Sequence, residues 1–199
     1  MRDTILKKAN EMFLAYGFKS VTMDDIATEL GISKKTIYQH FANKNDLVEA
    51  CTLELFENIS CGIDNIREQG KNSIEEIFII RDFMMQQLRN EDASPFYQLQ
   101  KFFPKIFSCL HKKQFDKMNG CMMDNLKKGI EHGLYRDELD IDFISRLYFT
   151  GLTGVKNSDV FPTDQYSIPD TTKKFLEYHL RAIVTPKGLN ILEGLIKTD

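Results

Sequence analysis

No run of apolar residues in this chain approaches the ~18–20 needed to span a bilayer as a helix. No signal peptide precedes the first amphipathic segment, so a cytoplasmic, reducing compartment is the expectation. The four cysteines, Cys51, Cys61, Cys109 and Cys121, show no CxxC spacing and are expected to fill the core as small apolar side chains. Glycine and proline are also sparse, at 11 and five of 199 residues, and alternating β-branched runs are few. Such a composition predicts a chain that is nearly all helix. Enzyme signatures are missing too: there is no GxSxG, P-loop, GxGxxG or HExxH. The histidines are His40, His111, His132 and His179, and Cys109-x-His111 is too sparse for a zinc site. His132 and His179 are expected at the surface or an interface. No catalytic residue, cofactor or metal is called for. No internal repeat or low-complexity tract appears.

What is present is enough for a folded core. Apolar residues make up 42% of the chain and aromatics 11%, which excludes a disordered chain. The formal charge of −3 is unusual for a nucleic-acid binder until it is partitioned. Residues 1–50 carry seven basic and seven acidic residues, and the remainder 19 and 22. Any positive field is therefore a local patch, which suits a sequence-specific DNA contact and not a non-specific coat.

That patch lies in residues 22–47, TMDDIATELGISKKTIYQHFANKNDL. Thr22 can N-cap a helix, with Asp25 three residues on as the acid of a capping box. Ile26, Ala27 and Leu30 share one helical face, and Gly31 follows where a helix end needs left-handed dihedrals. Ser33 N-caps a second helix over 34–41, in which Ile37 and Phe41, four apart, point inward. Lys34, Lys35, Thr36, Tyr38, Gln39 and His40 are left to face out. Asn43 caps a further helix beginning at Lys44. The pattern predicts a helix-turn-helix whose second helix is covered in donors. Between residues 33 and 44 there are three lysines and no acid. Lysine, the tyrosine hydroxyl and an imidazole N–H suit phosphate, whereas Gln39 and Thr36 can reach base edges in the major groove.

Thr22, Ile26-Ala27, Gly31-Ile32-Ser33, Thr36-Ile37-Tyr38, His40-Phe41, Lys44 and Leu47 resemble the N-terminal DNA-binding domain of the TetR family of bacterial transcriptional regulators. The resemblance covers about the first 50 residues; beyond them only length and helical character agree. It implies a homodimer, usually a repressor, whose C-terminal domain binds a small effector. It also implies that Lys34, Lys35, Thr36 and Gln39 occupy positions that often meet bases. Thr22, Tyr38, His40 and Lys44 match positions that usually meet phosphate, and Ser33, which caps the helix that displays them, is counted with the DNA-binding set. Lys35 departs from the small residue common at its position.

The expected architecture is all-α, with a DNA-binding domain over 1–46 and a helical effector-binding and dimerisation domain over 47–199. A first helix over 2–16 ends at Gly17 and completes the head, and a long helix over 44–67 leads out of it. Ser73 with Glu76 reads as a capping box for a helix over 74–90, followed by a break at 90–94. Helices are then expected over 95–103, 105–132, 142–157, 170–184 and 186–197. Seven of the 15 phenylalanines and five of the eight methionines fall within residues 78–123, more than one core stripe can face. This excess points to a hydrophobic or aromatic effector, with Phe83, Met84, Tyr97, Phe102, Phe103, Phe107, Met118, Met122 and Tyr148 as candidate contacts. The helices over 142–157 and 170–184, with Gly151 and Gly154, are the expected dimer interface. Double-stranded DNA carrying a palindrome is the expected partner, and no membrane is. The alternative is an architectural or partner-controlled DNA-binding protein without a small ligand.

Overall fold

In the computed structural model, which describes residues 1–87 and 94–198, the chain is helical throughout and contains no strand among those residues. The ten helices are α1 (Arg2–Tyr16), α2 (Met23–Leu30), α3 (Lys34–Tyr38), α4 (Lys44–Arg67), α5 (Ser73–Gln87), α6 (Ser94–Phe102), α7 (Pro104–Glu131), α8 (Ile141–Gly154), α9 (Ile168–Ile183) and α10 (Pro186–Thr198). The expected break at 90–94 falls almost wholly outside the described residues. No helix among them is long and apolar enough to cross a membrane.

Packing divides the chain into two compact units. The first holds Met1–Cys61 with the described residues of Leu88–Gln114, and the second Gly62–Gln87 with those of Phe115–Asp199. In the first unit Ile5, Ala9 and Phe13 of α1 meet Ile26, Ile37, Phe41, Leu47, Val48 and Cys51 in one buried cluster. Two short helices could not be stable alone, and this shared core is what holds them. Leu99 of α6 and Leu110 of α7 are buried in the same cluster, and Phe103, Ile106 and Phe107 pack against it. The head therefore draws part of its core from residues far along the chain.

The second unit closes around Ile74, Ile77, Phe78, Met122, Leu126, Leu176, Leu180 and Leu192. Beside them lies a buried polar knot. Asn125 Nδ2 donates to the Ser73 carbonyl at 2.9 Å and to Glu76 Oε1 at 2.8 Å, while Tyr135 Oη donates to Asn125 Oδ1 at 3.0 Å. Lys128 Nζ meets Glu76 Oε2 at 3.3 Å, giving the buried carboxylate its counter-charge. Burial in this knot pushes the Tyr135 phenol well above its ordinary range.

Several expectations need correction. Ser73 is no cap: it is buried as the first residue of α5, and Asn72 Oδ1 accepts from Ile74 N–H (3.1 Å) and Glu75 N–H (3.0 Å) instead. Asparagine caps as well as serine does, and Glu76 is drawn inward to Asn125. Asp140 caps α8 and Ser167 caps α9, so both helices start slightly earlier than 142 and 170. Cys51 alone is a buried thiol; Cys61 and Cys109 are exposed and Cys121 is half-buried. His179 is buried against the Tyr148 and Phe175 rings, at 5.1 and 5.7 Å between ring centres, and so is not a surface residue.

Candidate nucleic-acid interface

The helix-turn-helix is built by local chemistry. Thr22 Oγ1 accepts from Asp25 N–H at 3.2 Å, and Asp25 Oδ2 accepts from Thr22 N–H at 2.8 Å, so the capping box is reciprocal. Those bonds hold the Asp25 carboxyl below its ordinary range. Gly31 ends α2 with φ 64° and ψ 29°, a left-handed conformation that glycine adopts without strain. Ser33 Oγ then accepts from Thr36 N–H at 3.1 Å and starts α3. The third helix is shorter than expected: regular α-helix ends at Tyr38, and Gln39 and His40 lie in the closing turn. His40 N–H bonds the Ile37 carbonyl at 2.9 Å, three residues back, which tightens the helix end there. Asn43 Oδ1 accepts from Asp46 N–H at 3.0 Å and caps α4.

Ile37 and Phe41 point into the core, as their spacing requires, so the remaining side chains of α3 and its closing turn face outward. Ser33, Lys34, Lys35, Tyr38, Gln39 and His40 are exposed, and Thr36 and Lys44 half-exposed. They are not equally available. Thr22 Oγ1 already donates to Asp25 Oδ2 at 2.8 Å, and Ser33 Oγ and Thr36 Oγ1 share a bond at 2.8 Å. Lys34 Nζ is bound to Asp24 Oδ2 at 2.6 Å, an ion pair that raises the lysine's pKa. Lys44 Nζ donates to the Lys19 carbonyl at 3.0 Å, and partial burial lowers its pKa. Lys35, Tyr38, Gln39 and His40 form the readily presented set.

Asp24 and Lys19 were not singled out by the sequence. The Asp24–Lys34 pair spans ten residues across the turn, and the Lys19 contact uses a backbone oxygen, so neither leaves a spacing signal. The apolar candidates do not form one group. Phe103 and Phe107 pack on the first unit's core, and Met122 and Tyr148 are buried in the second's. Tyr97 and Phe102 are exposed on α6, Met118 lies against the second core, and Phe83 and Met84 of α5 are half-buried. The Phe83 ring lies where a side chain on Gly62 would have to go.

A capped helix pair on a three-helix core, presenting an amide, a phenol, an imidazole and lysines from the second helix and its end, defines a helix-turn-helix DNA-binding transcriptional regulator. Residues 5–51 match the sequence model of the family described as bacterial regulatory proteins, tetR family. The N-terminal segment is thus similar to the DNA-binding domain of that family, and the chain is a DNA-binding transcriptional regulator. Among its relatives is the HTH-type transcriptional repressor KstR2 of Mycolicibacterium smegmatis, 26% identical over 193 residues that cover 94% of this chain and 92% of that protein. The fold is shared along the chain. A transcriptional regulator from Cytophaga hutchinsonii superposes with a TM-score of 0.78 at 18% identity, covering 92% of this chain and 98% of that one. The ketosteroid transcriptional regulator KstR2 of Mycobacterium tuberculosis does so with a TM-score of 0.62 at 22% identity, covering 92% and 95%.

Proposed function

We propose that this regulator is a homodimeric repressor that grips a palindromic operator through α3 and its closing turn. A small hydrophobic effector bound by the rest of the chain then modulates its hold. In this reading Gln39, Thr36, Lys34 and Lys35 meet base edges or nearby phosphates, and Tyr38, His40, Lys44 and Thr22 fix the register on phosphate. Residues 1–46 serve as the DNA-binding part and 47–199 as the effector and dimer part, in a cytoplasmic protein. The observation that carries the reading is the outward presentation of Tyr38, Gln39, His40 and Lys35 while Ile37 and Phe41 anchor the same segment.

Dimerisation through α8 and α9 is supported by their uncovered apolar residues. Phe143 and Leu147, one turn apart on α8, are 59% and 45% exposed, and Tyr178 on α9 is 75% exposed. One short recognition helix reads too few bases for useful specificity, so two copies on two half-sites are needed. An apolar effector agrees with the phenylalanine and methionine content of residues 78–123 and with relatives that include a ketosteroid regulator. Such a ligand acts only by binding one arrangement of the dimer more tightly than another.

Selection of bound sequences from random duplex DNA, with a salt titration, tests the proposal. A recovered palindrome whose binding is lost in Tyr38→Ala is the expected result. Binding without sequence preference and with steep salt dependence would refute it and favour an architectural role.

A further inference from the structure

We infer that Gln98, on α6, is a positioning residue for DNA binding. It fixes the turn between α1 and α2, and that turn in turn holds Lys44. The inference rests on the reading above that Lys44 meets a DNA phosphate.

The turn begins at Gly17, with φ 85°. Its buried Cα leaves no room for a side chain because the Gln98 amide lies against it; a Cβ there would collide with Gln98. The next residue but one is clamped from both sides. Lys19 N–H donates to Gln98 Oε1 at 3.0 Å, and the Lys19 carbonyl accepts from Lys44 Nζ at 3.0 Å. Gln98 thus anchors the N–H of the residue whose carbonyl carries the lysine. Two further contacts tie the same turn to the same region. Lys19 Nζ sits 4.5 Å from the centre of the Phe102 ring, and Phe18 meets Phe103 edge to face at 6.4 Å.

The physical consequence concerns pre-organisation. An exposed lysine has several rotatable bonds, and ordering it on a phosphate costs entropy. Donating to a fixed carbonyl narrows its range before DNA arrives. The carbonyl is fixed only while its peptide is, and Lys19 lies in a non-helical stretch where Gln98 supplies the partner for its N–H. Loss of that acceptor frees the peptide to rotate and lets Lys44 wander, with no change in the charge of the head.

A double-mutant cycle on the operator recovered by selection decides the matter, using Gln98→Met, which keeps side-chain length and loses the acceptor. Gln98→Met is expected to weaken operator binding about 3–10-fold. It is also expected to reduce the slope of log affinity against log salt by up to about 0.9, the value of one phosphate contact. Thermal unfolding should stay close to that of the parent chain. In a Lys44→Met background, Gln98→Met should have no further effect, whereas its effect should add fully to that of Tyr38→Phe. If Lys44→Met weakens binding but Gln98→Met does not, or if the two losses simply add, the positioning role is wrong. If Lys44→Met itself leaves binding and salt slope unchanged, the phosphate role of Lys44 fails first, and the positioning role falls with it.

Discussion

Asp24→Asn should tighten operator binding, although it deletes an ion pair. Asp24 Oδ2 holds Lys34 Nζ at 2.6 Å on the surface, with side chains 64% and 47% exposed. Surface pairs of this kind contribute little to stability, so the folded head should tolerate the change. The larger effect is on the ligand side. In the present head, Lys34 must leave a carboxylate to reach DNA, and the carboxylate then remains beside an acidic polymer. Asparagine removes both obstacles. With no carboxylate beside it to offset its charge, Lys34 neutralises its phosphate in full, which steepens the log–log salt dependence by up to about 0.9, so the variant's advantage should grow by up to about 3.5-fold from about 200 to about 50 mM salt. Fluorescence anisotropy with labelled operator across that range measures both quantities. Lys34→Met in the Asp24→Asn background should abolish the added slope. An affinity that falls, or a slope unchanged from the parent, would refute the reasoning and leave Asp24 as a merely structural acid.

Three further outcomes are expected. Asn125→Ala should destabilise the chain by about 2–4 kcal/mol in urea unfolding, because Glu76 Oε1 and the Tyr135 hydroxyl lose their buried partner while Lys128 still faces the carboxylate; Tyr135→Phe should cost only about 1 kcal/mol. Equal, small losses in both variants would show that the knot is not a unit. His179 has its pKa lowered to about 4 by burial. A group depressed below its unfolded value takes up protons on unfolding, so stability should be full above about pH 6.5 and fall by on the order of 3 kcal/mol as pH drops toward 4. His179→Leu should flatten that part of the thermal-unfolding profile, and an unchanged profile would sink the assignment. Phe143→Glu with Leu147→Glu should convert the proposed dimer to monomer in sedimentation velocity while unfolding stays nearly unchanged; a persistent dimer would place the interface elsewhere.

The parts of the molecule that could be read from sequence are those set by neighbours three or four residues apart. Thr22 with Asp25, Gly31, Ser33 with Thr36, and Asn43 with Asp46 all behave as their spacing implies, and Ile37 and Phe41 turn inward together. Ser73 misled because Asn72 beside it satisfies the same requirement, and sequence alone does not rank adjacent caps. His179 lies four residues after Phe175 on α9, so that contact was within reach of the same spacing; the Tyr148 ring that completes its cover comes from α8 and leaves no such signal. The apolar excess over 78–123 was visible, but not how it is shared out. Leu99, Phe103 and Leu110 go to the core of α1–α4, and Met122 to another core altogether.

That sharing bears on protein engineering. One design for a regulator of new specificity would graft its DNA-reading segment onto another sensor, with the splice just after the recognition helix. Here a splice near residue 46 would separate Ile5, Phe13 and Ile37 from the leucines and phenylalanines of 99–110 that close the same core. A chimera that transplants residues 1–46 together with matching side chains at 98–110 should express as a folded repressor. One that transplants 1–46 alone inherits a seam of mismatched packing beneath its DNA-reading surface.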